Sequence, residues 1–302
     1  MQILVVGSVA LDTIRTPFGE AEEVLGGSAT YFSLAASLFG QVGVVAVVGE
    51  DFPRRYIDLL SSRGVDLRGL QVVPGRTFRW KGYYDYDLNT AHTLETQLNV
   101  FQDFNPVIPD EYRDAEYVFL ANIDPVLQRR VLEQVIGPKV VVCDTMNFWI
   151  ENRRDELLET ISRVDILVLN DSEARQLAGQ PNLITAGREL LRLGPSRVVI
   201  KKGEHGVIML SDGTFFSLPA YPCEEVFDPT GAGDSFGGGF VGYLAGSGDL
   251  GEESMRRAVV YGSVVASYTV EAFSCERLKG LTMEEVEQRF SHFMEMTCFS
   301  RG

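Results

Sequence analysis

The chain has 302 residues, 45% of them apolar and 23% charged, with a formal net charge of −15. That length suffices for one large α/β domain or two smaller ones, burying roughly three quarters of the unfolded surface. So acidic a balance excludes broad binding to nucleic acid or anionic membrane, both of which need clustered Lys and Arg. No apolar run approaches the ~20 residues of a membrane span. The four cysteines, Cys143, Cys223, Cys275 and Cys298, have no paired spacing and read as reduced thiols of a cytoplasmic protein without a zinc framework.

Residues 3–6 are a continuous apolar run closed by Gly7-Ser8, the pattern of a strand buried on both faces of a parallel sheet. The first residues lack a basic segment and a small-residue cleavage site, so they read as that strand and not as a leader. Asp12 follows just beyond the strand, where ligands collect in open α/β sheets; a turn residue is the competing reading. Gly26-Gly27-Ser28 opens a predicted helix over 29–39, with Ser28 as N-cap. Residues 42–48 predict the next strand, and 52–63 a helix ended by Gly64. Segments 77–86 and 93–101 mix aromatics with polar residues around a turn at 87–90, which predicts antiparallel strands outside the main sheet. They form either a small sheet with residues 11–25 or ordinary edge strands.

From Tyr117 the alternation becomes regular. Strands are predicted at 117–120, 140–143, 166–169, 198–200 and 207–210, with helices at 125–135, 154–162, 173–178 and 184–193. That βα repeat predicts a mostly parallel sheet. Polar groups recur just past the strand ends: Asn122 and Asp124, Asp144 and Asn147, Asn170 and Glu173, Lys201 and Lys202. If the sheet is doubly wound, one crevice collects them. Asn170-Asp171-Ser172-Glu173 taken alone is an N-cap followed by a first-turn glutamate.

Asp228-Pro229-Thr230-Gly231-Ala232-Gly233-Asp234 leads into residues 235–245, which carry Phe236, Phe240, Val241 and Leu244 on one helical face. A helix starting near Gly231 offers the unpaired amides of Gly231, Ala232 and Gly233 to an anion. Asp234 then lies beside any phosphate held there, placed to take a proton from an acceptor hydroxyl while the amides stabilise the transferring phosphoryl group. The plainer reading is a tight turn before a closely packed helix. Residues 256–270, with Ala258, Gly262, Ser263 and Ala266, predict a second close-packed helix, and 284–293 an amphipathic one that closes the chain.

The stretch 228–241 resembles, without mismatch, the C-terminal signature of the ribokinase-like (phosphofructokinase-B) family of carbohydrate and nucleoside kinases. Other features of that family follow in order along nearly the whole chain. The resemblance implies one ribokinase-like kinase domain over 1–302: an α/β, doubly wound, mostly parallel central sheet flanked by helices. It adds a small β-sheet lid formed by about 11–25 and 77–101, which excludes water during transfer.

The implied activity is transfer from ATP, with Mg2+, to a hydroxyl of a sugar or sugar-like molecule, a primary alcohol by preference. Asp234 is the implied general base and Gly231, Ala232 and Gly233 the anion hole, with Thr230 beside the nucleotide. Asp12, Gly26, Gly27 and Asn122 fall on the substrate. Asn170 and Glu173 would organise Mg2+ largely through water. Lys201 would face the phosphates or ribose, Gly203 would let the backbone pass close to the nucleotide, and Gly262 would wall the adenine pocket. In potassium-activated members the loop corresponding to 271–280 supplies carbonyls to K+; its sequence here is not diagnostic. Lid residues Arg79, Asn89, His92, Gln97 and Asn99 become candidate substrate contacts, and a lid strand could pair with a second copy as a homodimer.

Where the family usually has asparagine, four residues after the second glycine, this chain has Tyr31. A tyrosine there could hydrogen-bond or stack on a ring, which leaves sugar and nucleoside both open. A non-catalytic ligand-binding relative is the reading from a different class, and Asp234 with the Asn-x-x-Glu pattern stands against it. A dinucleotide-binding oxidoreductase is disfavoured because Gly7-Ser8-Val9-Ala10 lacks the G-x-G-x-x-G spacing, and there is no Walker A sequence.

Overall fold

The computed structural model describes residues 1–298. In chain order the strands are β1 (Ile3–Val6), β2 (Ala10–Thr16), β3 (Gly19–Gly26), β4 (Val42–Gly49), β5 (Val65–Val73), β6 (Arg79–Tyr84) and β7 (Ala91–Gln97). They continue with β8 (Tyr117–Leu120), β9 (Val140–Asp144), β10 (Ile166–Asn170), β11 (Arg197–Lys201), β12 (Val207–Ser211) and β13 (Thr214–Leu218).

A 9-stranded sheet has the order β13-β12-β11-β10-β9-β8-β1-β4-β5. The strands from β11 to β5 run parallel, and β12 and β13 are antiparallel at one edge. Its central strands are the apolar runs that sequence predicts, because helices cover both faces. Ile3 and Val5 point into one core with the helices Ser28–Ala36, Ala232–Ser247 and Glu252–Thr269, while Leu4 and Val6 point into the other. The chain winds away in opposite directions from β1, so the crevice of an open α/β sheet lies at the C-terminal ends of β1 and β8.

A separate 4-stranded sheet has the order β3-β2-β6-β7. β2 pairs antiparallel with β3 and parallel with β6, and β6 pairs antiparallel with β7. In the β2–β6 register Asp12 lies opposite Trp80 and Ile14 opposite Gly82.

Two strands have no counterpart in the sequence reading. β5 interleaves Asp66 and Arg68 with apolar residues at one edge of the large sheet, and β13 returns through a tight turn at Asp212-Gly213. The expected strand over 93–101 instead runs Ala91–Gln97, and Asn99–Asp103 forms a 3-10 turn. All four cysteines are free thiols. Among the described residues no helix is long and apolar enough to cross a membrane.

Candidate active site

The turn that runs from Pro229 to Gly231 is built by Asp228. Its buried carboxylate accepts from the Thr230 amide at 2.9 Å through Oδ1 and from the Ser274 amide at 2.9 Å through Oδ2. Ser274 Oγ in turn donates to the Leu25 carbonyl at 2.5 Å. The turn closes at Gly231, the N-cap of the helix Ala232–Ser247, with a left-handed φ of 77° that favours glycine. The Ala232 amide, expected in the anion hole, donates instead to the Pro229 carbonyl at 3.2 Å. The amides of Gly231 and Gly233 have no such backbone partner among the described residues and remain the donors for an anion.

Charge gathers beneath that turn. Lys201, at the end of β11, holds its Nζ 3.1 Å from Asp144 Oδ2 at the end of β9. The same Nζ lies 2.9 Å from where a Cβ on Gly233 would sit, so the lysine passes directly beside the turn. Burial and then the neighbouring Asp144 push the Asp234 carboxyl up to about 7, against the opposing pull of Lys201. Burial and Asp144 likewise raise Glu173 to about 7. Burial works against the Lys201 charge, but Asp144, Glu173 and Asp234 outweigh it and raise its pKa. Asp234 is therefore an acceptor whose proton affinity matches neutral pH, the condition a general base needs.

On the opposite wall Asp12 is 4% exposed and packs so closely on Gly26 that a Cβ there would overlap its carboxylate. Burial first, and then Asp228, push Asp12 up to about 8. Tyr84 of β6 reaches across from the small sheet, its hydroxyl 3.3 Å from Thr230 Oγ1. Asp12 thus lies within electrostatic range of Asp228 and Asp234, with the small sheet facing the turn at Thr230.

Several expected residues sit elsewhere. Tyr31 is 1% exposed and offers no face to a ligand; its ring is pressed against Gly231, where a Cβ would collide with it. Gly262 is buried against the helix Ala232–Ser247, where a Cβ would fall 2.8 Å from the Phe236 carbonyl oxygen. Close helix packing accounts for that glycine. Asn122 accepts from Trp149 Nε1 at 2.8 Å and turns its amide toward Met146.

Asn170 and Glu173 form a reciprocal capping box, each side chain accepting from the other's backbone at 2.8 and 2.7 Å. Among the lid candidates, Arg79 bridges Glu23 and Asp51, His92 pairs with Asp85, Gln97 donates to Glu95 and Asn99 to the Thr77 carbonyl. Asn89 alone crosses the cleft, its Nδ2 3.3 Å from Glu204 and its Oδ1 3.0 Å from a Cβ position on Gly203. Gly203 itself has a left-handed φ of 54°.

Sequence reasoning set Asp144 in the strand-end crevice without giving it a role, and left Tyr84 out of the site. Asp144 had a signal, since it ends a buried parallel strand beside Lys201; for Tyr84 the register of β6 against β2 was needed. A divalent cation fits the carboxylates present: Asp144 and Glu173 share one electrostatic neighbourhood, and Mg2+ characteristically takes one or two carboxylates and keeps several waters.

Known proteins resemble this chain in sequence and in fold. A family model described as pfkB family carbohydrate kinase matches residues 2–278. The chain is 37% identical over 253 residues to the cytidine kinase of Thermococcus kodakarensis, covering 82% of this chain and 90% of that one. The nucleoside kinase structure of Methanocaldococcus jannaschii superposes with a TM-score of 0.79 at 22% identity, covering 97% and 99% of the two chains. A protein of E. coli described as a ribokinase II, in complex with ATP and Mg2+, superposes at 0.78 with 20% identity, covering 96% and 99%.

Proposed function

Since the chain belongs to the pfkB family of carbohydrate kinases, and is thus an ATP-dependent phosphotransferase with a hydroxyl acceptor, we propose that its substrate is a nucleoside phosphorylated at the primary 5′-hydroxyl. The observation that carries the substrate class is the 37% identity to a cytidine kinase over most of both chains. The sequence alone put a sugar first. That preference yields to the relatives, although the residue that favoured a nucleoside in the sequence, Tyr31, is buried.

In this reading the nucleoside lies between the small sheet and the C-terminal ends of β1 and β8, with its ribose hydroxyls on Asp12 and Gly27. Asp234 takes the proton of the 5′-hydroxyl as that oxygen attacks the terminal phosphorus of ATP. The amides of Gly231 and Gly233 hold the transferring group, and Lys201 balances charge beside it. Asp144 and Glu173, oriented by Asn170, would hold Mg2+, which supplies Lewis-acid neutralisation of the nucleotide phosphates. The small sheet acts as a lid: Tyr84 on Thr230 and Asn89 on Glu204 close it over the cleft and keep water from the phosphoryl group. A second copy pairing along the exposed edge strand β7 is the assembly this reading favours, and solution mass tests it.

The deciding experiment is product analysis after incubation with ATP, Mg2+ and a panel of nucleosides, ribose and other sugars. A 5′-monophosphate formed from a nucleoside far faster than any sugar phosphate is the expected result. Preferential phosphorylation of a free sugar would restore the sugar-kinase reading.

A further inference from the structure

We propose that Trp80 is the stacking platform for the nucleobase and therefore the residue that makes this lid select a nucleoside; the inference rests on the nucleoside reading above. Residues paired across parallel strands share a face, so Trp80 stands on the same side of the small sheet as its partner Asp12. Gly82 and Tyr84, two and four positions along β6, stand there too. The direction of that face is fixed by Tyr84, whose hydroxyl meets Thr230 of the phosphate turn at 3.3 Å.

The indole is laid flat. A Cβ on Gly82 would collide with Cζ2 and Cη2 of Trp80, so the ring covers the one position of β6 that has no side chain. Its Nε1 donates to Thr93 Oγ1 at 3.1 Å, a hydroxyl on the neighbouring strand β7, which pins the ring's orientation. The residue remains half-buried, so with its ring laid over Gly82 part of the side chain is still accessible. An aromatic plane held in this way matches a base, which every nucleoside presents as a π-face and a free sugar lacks.

The spacing agrees as well. Neighbouring strands lie about 4.8 Å apart, so a ribose held by Asp12 on β2 would place its base one strand over, above β6. Tyr31, the other aromatic candidate, is sealed beneath Gly231 and cannot serve.

The test uses the full chain and cytidine, adenosine and ribose as probes. Trp80→Leu is expected to raise the nucleoside KM about tenfold or more, the scale of losing one base stack, with the KM for ATP within about twofold. Trp80→Phe is expected to keep most of the nucleoside affinity, which separates stacking from general damage to the lid. The chain has 2 tryptophans, so nucleoside should quench wild-type emission, ribose should not, and the quench should vanish in Trp80→Phe. A Trp80→Leu KM within twofold of wild type, or a quench that persists in Trp80→Phe, overturns the platform. Phosphorylation of ribose and of no nucleoside would sink the underlying reading instead, and product analysis shows which has failed.

Discussion

The ring of Tyr31 lies against Gly231, so that the residue carrying the turn of the proposed anion hole rests on an aromatic floor. The Tyr31 hydroxyl is buried without a hydrogen-bond partner among the described residues, and burial raises its pKa well above the ordinary phenol value. Tyr31→Phe removes an unsatisfied group while keeping the floor, so thermal stability should stay level or rise. Tyr31→Ala should cost about 3–5 kcal/mol in denaturant unfolding, the range for deleting a buried aromatic ring. In enzyme that stays folded, it should lower kcat more than it raises the KM for ATP.

Gly231→Ala meets two obstacles at once: a left-handed backbone and the same ring. Moving the amide away from the transferring phosphoryl group should reduce kcat by about 10²–10³, the scale for losing one preorganised donor. Steady-state kinetics with saturating ATP would show it, and an undiminished kcat would remove this amide from the mechanism.

As the proposed general base Asp234 must be deprotonated to act, and its carboxyl is raised to about 7. The rate should therefore climb with pH through about 7, and Asp234→Asn should lose about 10²–10⁴ in turnover while still binding ATP. The neighbours set where the climb occurs. Asp144→Asn removes a negative charge and should move the limb to lower pH; Lys201→Met removes the opposing cation and should move it higher. A pH–rate profile of the residual activities checks both directions.

Asp12 gives a prediction about stability. Its carboxyl is held at about 8 in the fold against 3.8 ordinarily, so the folded protein keeps a proton that the unfolded chain gives up. This stabilising contribution is complete below pH about 4 and disappears as pH rises through about 8. Asp12→Asn should flatten that part of the pH dependence and melt above the wild type at pH 8. Melting curves from pH 4 to 9 test it, and parallel curves for the two proteins would contradict the raised value.

The parts of the fold that could be read from sequence were those where one physical requirement fixes the residues. The buried runs of β1, β4, β8 and β10 admit only apolar side chains, and the Asp228–Asp234 turn needs its glycines. Asp144 and Lys201 showed their place by ending parallel strands. What stayed hidden depended on direction or register. The family resemblance implied that Tyr31 lies near the substrate but could not show that its ring turns under Gly231. Gly262 looks the same in sequence whether it faces a ligand or the Phe236 carbonyl. Trp80 acquires a role only once β6 is registered against β2. β5 and β13 escaped because edge strands tolerate Asp66, Arg68 and Thr214 among their apolar residues.

The Asp228 carboxylate joins pieces of chain made far apart in time during synthesis: Ser274 lies 46 residues downstream, and Ser274 itself reaches back 249 residues to Leu25. Contacts of such separation carry a large loop-closure cost and form late. A ribosome-bound chain that has not yet released Ser274 lacks the clamp that shapes the proposed anion hole. Catalytic competence is thus expected to arrive only once Ser274 has emerged, well after the parallel sheet has begun to assemble.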